Sequence, residues 1–124
     1  MAGRTSFEYT LGDGTKVSMN EFNGQTRLHI RRYMKDRSEG ICMFEREVTR
    51  FVDTIYDIDR AYDNNEEQGF EFNDFIYITC YKSGKVDFRY FFKQPDGRVL
   101  YSKKGIVLSR VAVKEMFDIL MKKY

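Results

Sequence analysis

The chain has 124 residues with one proline and a formal net charge of +2, and 42% of its residues are hydrophobic and 32% charged. This composition is typical of a folded protein and argues against a disordered chain. No apolar run approaches the roughly 20 residues that span a bilayer, and the N-terminus lacks the apolar stretch of a signal peptide. We therefore expect an intracellular protein with no membrane partner.

Hydrophobic periodicity predicts the same order of elements twice, and the first set occupies residues 1–62. Asn23-Gly24 is a strong hairpin signal and leads into an alternating strand, while apolar residues at spacings of three or four indicate a helix at the end of this unit. The predicted strands are 7–11, 15–22, 26–34 and 41–44, and the predicted helix is 45–62.

The second set follows an acidic segment, residues 63–74, which carries five Asp or Glu and no Lys or Arg and which we interpret as a linker. Ser109 is a plausible N-cap for a final helix whose apolar stripe includes Val113, Met116 and Leu120. The predicted strands of this unit, residues 75–124, are 75–81, 85–93, 98–102 and 105–108.

The predicted fold class is therefore α+β, with two ββββα units that each form a small curved antiparallel sheet followed by a C-terminal helix. A unit of about 60 residues buries only about 60% of its unfolded surface and is marginal alone. We expect the two units to pack on each other through their helices as an internal pseudo-dimer. The chain would then be a monomer, or a homodimer if the units pair between chains.

The residues that support catalysis or metal binding are scarce. Cys42 and Cys80 lie in separate apolar strand-like runs, where reduced thiols are expected, and His29 has no nucleophile nearby. The spacing of the acids in the first helix does not place three carboxylates on one face. The sequence predicts no catalytic residue, no metal site and no cofactor, and hence a protein that is not an enzyme.

Basic and aromatic residues alternate in the strands of both units. In strand 26–34 one parity carries Leu28 and Ile30, which we assign to the core, and the other carries Arg27, His29, Arg31 and Tyr33. Residues 75–124 hold eleven Lys or Arg against four Asp or Glu, a net +7, interleaved with Tyr90, Phe91, Phe92 and Tyr101. Such a face suits single-stranded nucleic acid, because cations neutralise phosphates and aromatic rings stack on bases. The same aromatics can also fill the core of a small sheet, and the charges can form a solvated face.

Several short motifs occur in one order along the chain: VSMNEFNG at 17–24, HIRRYM at 29–34, DIDRA at 57–61, PDGR at 95–98 and KKGIVLS at 103–109. Together they resemble the single-stranded-DNA-binding domain of the eukaryotic transcriptional coactivator positive cofactor 4, in two tandem copies. Members of that family form a homodimer through their C-terminal helices and bind melted or single-stranded DNA across basic sheet surfaces. The resemblance implies DNA contacts at Phe22, Arg31, Arg89, Phe92, Lys103 and Lys104.

The chain departs from the family pattern in its first unit, where Met34 replaces a stacking Trp and Glu39 replaces a base, so we expect the first surface to bind more weakly. The candidate DNA-binding residues are Phe22, Arg27, Arg31, Tyr33, Lys85, Arg89, Phe92, Lys93, Arg98, Lys103 and Lys104.

The function that these residues predict is largely sequence-independent binding of single-stranded or melted DNA in transcription or in replication and repair, in the nucleus if the source is eukaryotic or viral. RNA and the transcription or replication machinery are further candidate partners. Two alternatives remain open. One is a Pur-type or Whirly-type binder of single-stranded DNA or RNA, and the other is a protein-interaction module that uses the aromatic sheet face.

Overall fold

The computed structural model describes residues 4–63 and 67–123, which form two four-stranded antiparallel sheets, each followed by a helix. The first unit consists of β1 (Arg4–Thr10), β2 (Lys16–Phe22), β3 (Gln25–Tyr33), β4 (Ser38–Phe44), a short 3₁₀ turn (Glu45–Glu47) and α1 (Val48–Asp63). The second unit consists of β5 (Gln68–Glu71), β6 (Ile76–Cys80), β7 (Val86–Lys93), β8 (Val99–Leu108) and α2 (Arg110–Lys123). The α+β class and the repeated order of four strands and a helix are confirmed.

The first sheet has the strand order β1-β2-β3-β4, and its central hairpin is set by local turn chemistry. Asn23 and Gly24 have φ values of 52° and 77°, the left-handed conformation that a two-residue type I′ turn requires. The turn pairs Phe22 with Gln25 and thereby fixes the register of β2 on β3. In that register Leu28 and Ile30 are fully buried, as the alternation predicts.

The second sheet differs from the prediction at both of its edges. Residues 68–71 of the predicted linker form the edge strand β5, whose Phe70 packs against the core, while residues 64–66 of that linker lie outside the described residues. The two predicted strands 98–102 and 105–108 are one strand, β8. Its pairing with β7 shifts between Arg89 opposite Gly105 and Phe91 opposite Tyr101, so residues 102–104 bulge from the ladder.

Both helices cover the inner faces of the sheets, and α2 begins as predicted. The backbone N–H of Ala112 donates to Oγ of Ser109 at 3.2 Å, which makes Ser109 the N-cap. The buried stripe of α2 contains Val113, Met116 and Leu120, whereas Phe117 is only partly buried.

Buried residues of both units form one hydrophobic cluster. The ring of Phe51 on α1 lies 5.3 Å from the ring of Phe72 and 5.8 Å from that of Phe88, measured between centroids, and both partners belong to the second unit. On the helices, Asp59 forms ion pairs with Arg110 at 3.4 Å and with Lys114 at 3.8 Å. Residues of the two units are thus in contact within one buried cluster.

The two sheets adjoin along β4 and β8, a line that we call the seam. Hydrogen bonds between the two units cross it. The backbone N–H of Cys42 donates to the hydroxyl oxygen of Tyr90 at 2.9 Å, and Nη2 of Arg32 donates to the carbonyl oxygen of Val107 at 3.0 Å. The seam is where side chains of the two units can act together.

Candidate nucleic-acid interface

The outer face of the first sheet, turned away from the buried core, carries Arg27, His29, Arg31 and Tyr33, the residues that alternate with Leu28 and Ile30. Arg31 lies opposite Gly40 of β4. A Cβ at position 40 would lie 2.2 Å from the carbonyl oxygen of Ile30 and 2.8 Å from Cγ of Arg31, so only glycine fits beneath the arginine side chain. This close approach fixes Arg31 over β4, beside the seam.

The second sheet repeats this arrangement with Arg89 opposite Gly105, where a Cβ would lie 2.5 Å from the carbonyl oxygen of Phe88. The surroundings of Arg89 differ from those of Arg31. Nε of Arg89 lies 3.1 Å from Oδ1 of Asp87, and its Nη1 donates to the carbonyl oxygen of Ser102 at 3.1 Å. Arg89 is therefore anchored to its own sheet and contributes less free positive charge than its sequence position suggests.

Aromatic residues cover the outer face next to Arg89. The rings of Tyr77 and Tyr101 meet edge-on with centroids 5.2 Å apart, and Tyr77 also lies 5.8 Å from Phe91. The side chains of Tyr77, Tyr81 and Tyr101 line an open cavity of about 360 Å³, which we call the tyrosine surface. Burial, reinforced by the hydrogen bond with Tyr101, raises the pKa of Tyr77, so its hydroxyl stays neutral at physiological pH. Flat neutral rings at an open surface can stack on bases.

Tyr77 and Tyr81 were missed as site residues, although they share the parity of the outer face in strand 75–81. Two-residue alternation through Tyr77, Thr79 and Tyr81 was the available signal. Tyr101 was recognised only as one of the interleaved aromatics.

Cations from both units meet at the seam. Arg31 and Arg37 of the first unit and Lys103 and Lys104 of the second line a cleft of about 270 Å³, which we call the basic cleft. The β8 bulge projects the two lysines, and the backbone N–H of Lys104 donates to Oγ of Ser102 at 3.0 Å within it. The structure thus brings three predicted residues together and adds Arg37, which lies between β3 and β4 and is not among the predicted residues.

Glu39 also lines the basic cleft, where its carboxylate pairs with an arginine. Oε1 of Glu39 lies 3.0 Å from Nη1 of Arg32, which also pairs with Asp13 at 2.9 Å. Burial by itself would raise the pKa of the Asp13 carboxyl. The hydrogen bonds from Thr15 and the charge of Arg32 together have the larger effect, so the pKa of Asp13 is lowered. Arg32 thus shares its single charge between two carboxylates, and Glu39 offsets part of the positive charge of the four cations in the cleft.

The remaining predicted residues lie away from the basic cleft. Phe22 and Tyr33 are 58% and 63% exposed, and Phe92, 63% exposed, lies opposite Leu100 in the β7–β8 hairpin. Lys85 ends the β6–β7 turn, Lys93 pairs with Glu71 at 3.2 Å, and Arg98 pairs with Asp96 at 2.7 Å. Arg27 of β3 lies opposite Phe44, the last residue of β4, and its guanidinium is 4.7 Å from the centroid of the Phe44 ring.

Two titratable side chains of the sheets, His29 and Cys80, have pKa values that are shifted towards the neutral form. Burial lowers the pKa of His29 from its ordinary 6.5, and the charges of Arg31 and Arg27 lower it further. Cys42 and Cys80 are free thiols, and burial raises the pKa of Cys80 to about 11. Among residues 4–63 and 67–123, no cluster of three or more His, Cys, Asp or Glu is arranged to hold a metal ion. None of the helices in that part of the chain is long and apolar enough to cross a membrane.

Comparison of the chain with protein-family models, with curated proteins and with solved structures finds no significant match.

Proposed function

We propose that this protein binds single-stranded DNA, largely independently of sequence and without catalysis. The observation that carries the proposal is the basic cleft, in which Arg31, Arg37, Lys103 and Lys104 converge from two units on one cavity. Four cations around a groove attract a polyanion, and each phosphate that they neutralise releases condensed counterions. Glu39 opposes this attraction only in part, because its carboxylate pairs with Arg32 and four cations face it across the cleft.

The preference for a single strand follows from the tyrosine surface. Tyr101 is 57% exposed and Tyr81 is 40% exposed, and both lie on an outer sheet face. Bases can stack on such rings only when they are unpaired, and every base offers a flat face, so stacking favours single strands without favouring a sequence.

The roles of the predicted residues divide accordingly. Arg31, Lys103 and Lys104 hold phosphates together with Arg37. Phe22 and Tyr33 are exposed rings that add stacking surface on the outer face of the first sheet, whereas Phe92, opposite Leu100, is an exposed ring on the other face of the β7–β8 hairpin from Tyr101. Lys93 and Arg98 already pair with neighbouring carboxylates, so, like Arg89, they add little free positive charge to the interface.

The proposal includes an internal pseudo-dimer, supported by equivalent contacts across the seam. Arg32 follows Arg31, which lies opposite Gly40, and it donates to Val107, two residues after Gly105. In the same way Tyr90 follows Arg89, which lies opposite Gly105, and it accepts from Cys42, two residues after Gly40. Sedimentation should then give a monomer of 14.8 kDa. A stable dimer at micromolar concentration would mean that the units pair between chains.

The cellular role that we propose, in transcription or in replication and repair, rests on the motif resemblance to positive cofactor 4. A protein that holds melted strands fits either process, and the nucleus is the compartment expected for a eukaryotic or viral source. Protein partners from those machineries belong to the same proposal.

The test is fluorescence anisotropy with labelled single-stranded DNA, duplex DNA and single-stranded RNA at low salt. We expect tight binding of single-stranded DNA and much weaker binding of the duplex. Lys103→Glu with Lys104→Glu should abolish that binding, whereas Lys122→Glu with Lys123→Glu, an equal charge change at the end of α2, should leave it largely intact. Tighter binding of RNA than of single-stranded DNA would favour the hypothesis of a Pur-type or Whirly-type binder, because contacts to the 2′-hydroxyl distinguish RNA from DNA. No binding of any strand would overturn the proposal.

A further inference from the structure

A second cavity adjoins the basic cleft along β4. The basic cleft lies at Ser38 and Gly40, and the second cavity, of about 280 Å³, lies at Cys42 and Phe44. We call it the seam pocket. Tyr90 lines both cavities, so they are neighbours along one strand. Both units contribute to the seam pocket, because Arg27, Cys42 and Phe44 face Phe75, Ile76 and Tyr90.

The most exposed aromatic ring of the seam pocket has a rigid backbone. Phe75 is 64% exposed, yet Oδ1 of Asn73 accepts hydrogen bonds from the N–H groups of Phe75 at 2.8 Å and Ile76 at 2.7 Å. The carbonyl oxygen of Phe75 accepts a third bond from the N–H of Phe91 at 3.0 Å. Nδ2 of Asn73 donates to Oε2 of Glu47, which ties this loop to the first unit. An exposed ring held in this way loses little freedom when a ligand stacks on it.

The opposite side of the seam pocket is also suited to a flat ligand. The guanidinium group of Arg27 lies 4.7 Å from the centroid of the Phe44 ring, and both residues line the pocket. Nη2 of Arg27 donates to Oε1 of Gln25 at 3.0 Å, which orients its planar group. Guanidinium planes and aromatic rings both stack on nucleobases. The pocket is at the small end of ligand sites, as a single ring system requires.

We propose that the seam pocket binds one base of the single strand whose phosphates occupy the basic cleft, so that the strand follows β4 across both units. The inference rests on the proposed function and adds a path and a base site to it. Gly40 and Cys42 are successive positions on one face of β4, about 7 Å apart. One nucleotide can therefore place its phosphate in the cleft and its base in the pocket.

The seam pocket holds the base by stacking rather than by reading its edge. Both heteroatoms of the Asn73 amide are engaged, Oδ1 by two backbone N–H groups and Nδ2 by Glu47. The amide oxygen, the acceptor of this side chain, is thus committed to the protein's own loop, and one N–H of the amide is committed to Glu47. The pocket accepts any base, which agrees with binding that is largely independent of sequence.

The test compares an oligothymidylate with an abasic strand of the same length, which has the same phosphates and no bases. Wild-type protein should bind the oligothymidylate more tightly. Phe75→Ala should weaken that binding about tenfold and leave the Kd of the abasic strand unchanged, since stacking is lost and charge is not. Phe75→Trp should restore binding, and Tyr56→Ala, which removes an exposed ring from α1, should have no effect.

The outcomes separate the base site from the function on which it rests. Equal loss for both strands in Phe75→Ala, or an unchanged Kd for the oligothymidylate, would overturn the base site while single-strand binding stands. Failure of wild-type protein to bind either strand at low salt would overturn the proposed function itself.

Discussion

The hydroxyl oxygen of Tyr90 on β7 accepts a hydrogen bond from the backbone N–H of Cys42 on β4, 2.9 Å away across the seam. The same hydroxyl lies 3.7 Å from Sγ of Cys42. Burial raises the pKa of Tyr90, so its oxygen remains a neutral acceptor. The contact matters because the basic cleft and the seam pocket both have Tyr90 in their walls.

Tyr90→Phe should lower the free energy of unfolding by about 1 kcal/mol or somewhat more, because the N–H of Cys42 loses its partner in a partly buried position. Urea denaturation measures the change. Tyr33→Phe is the matched control, since Tyr33 is 63% exposed, and it should change stability very little. Equal effects of the two substitutions would show that the hydrogen bond across the seam does not stabilise the fold.

Gly40→Ala and Gly105→Ala should each destabilise the protein by roughly 1–3 kcal/mol or more, because the added methyl overlaps the backbone of the paired strand. The overlap involves carbonyl oxygens that lie 2.2 Å and 2.5 Å from the new Cβ atoms. At Gly12 the nearest atom is Oε1 of Glu115, at 3.2 Å on a flexible side chain, so Gly12→Ala should cost much less. Thermal denaturation compares the stability of the three alanine variants. A similar loss of stability in all three would contradict the close approach of β3 to β4 and of β7 to β8.

Stability should fall as the pH decreases below the ordinary His pKa of 6.5. Burial first, then the charges of Arg31 and Arg27, lower the pKa of His29 in the folded state, so the unfolded chain binds the proton more readily. The stability present above pH 6.5 is therefore lost as the pH falls from that value towards the lower folded pKa. Urea denaturation between about pH 7.5 and pH 5.5 should show a smaller decrease for His29→Gln than for wild type. Identical decreases would show that His29 is not the group responsible.

Single-stranded DNA should protect Cys42 from alkylation, because this half-buried thiol lines the seam pocket. Mass spectrometry follows the labelling of each cysteine separately. Cys80, buried and with its pKa raised to about 11, should remain unlabelled with or without DNA and serves as the internal control. Labelling of Cys42 at the same rate with saturating DNA would contradict a strand path along β4.

Features that depend on neighbouring residues in the chain could be predicted from the sequence. The type I′ turn at Asn23-Gly24, the burial of Leu28 and Ile30 and the N-cap at Ser109 are all set by local geometry and alternation. The sequence was sufficient here because each signal acts over a few residues.

Features that depend on distant pairing could not be predicted. Strand β5 lies in an acidic segment with weak strand propensity, and only its pairing with β6 and the packing of Phe70 make it a strand. The bulge that projects Lys103 and Lys104 needs β7 as its partner. Arg37 and Phe75 became site candidates only because the packing of the two units brings them to the seam.

The salt dependence of single-strand binding tests the central claim, that the basic cleft holds the phosphate backbone. Four cations at about 0.7 counterions each predict a log–log slope near −3 for wild type. Lys103→Ala with Lys104→Ala should reduce the slope to about −1.4, since two phosphate contacts are removed. An unchanged slope in that variant, or wild-type binding that does not respond to salt, would contradict the claim.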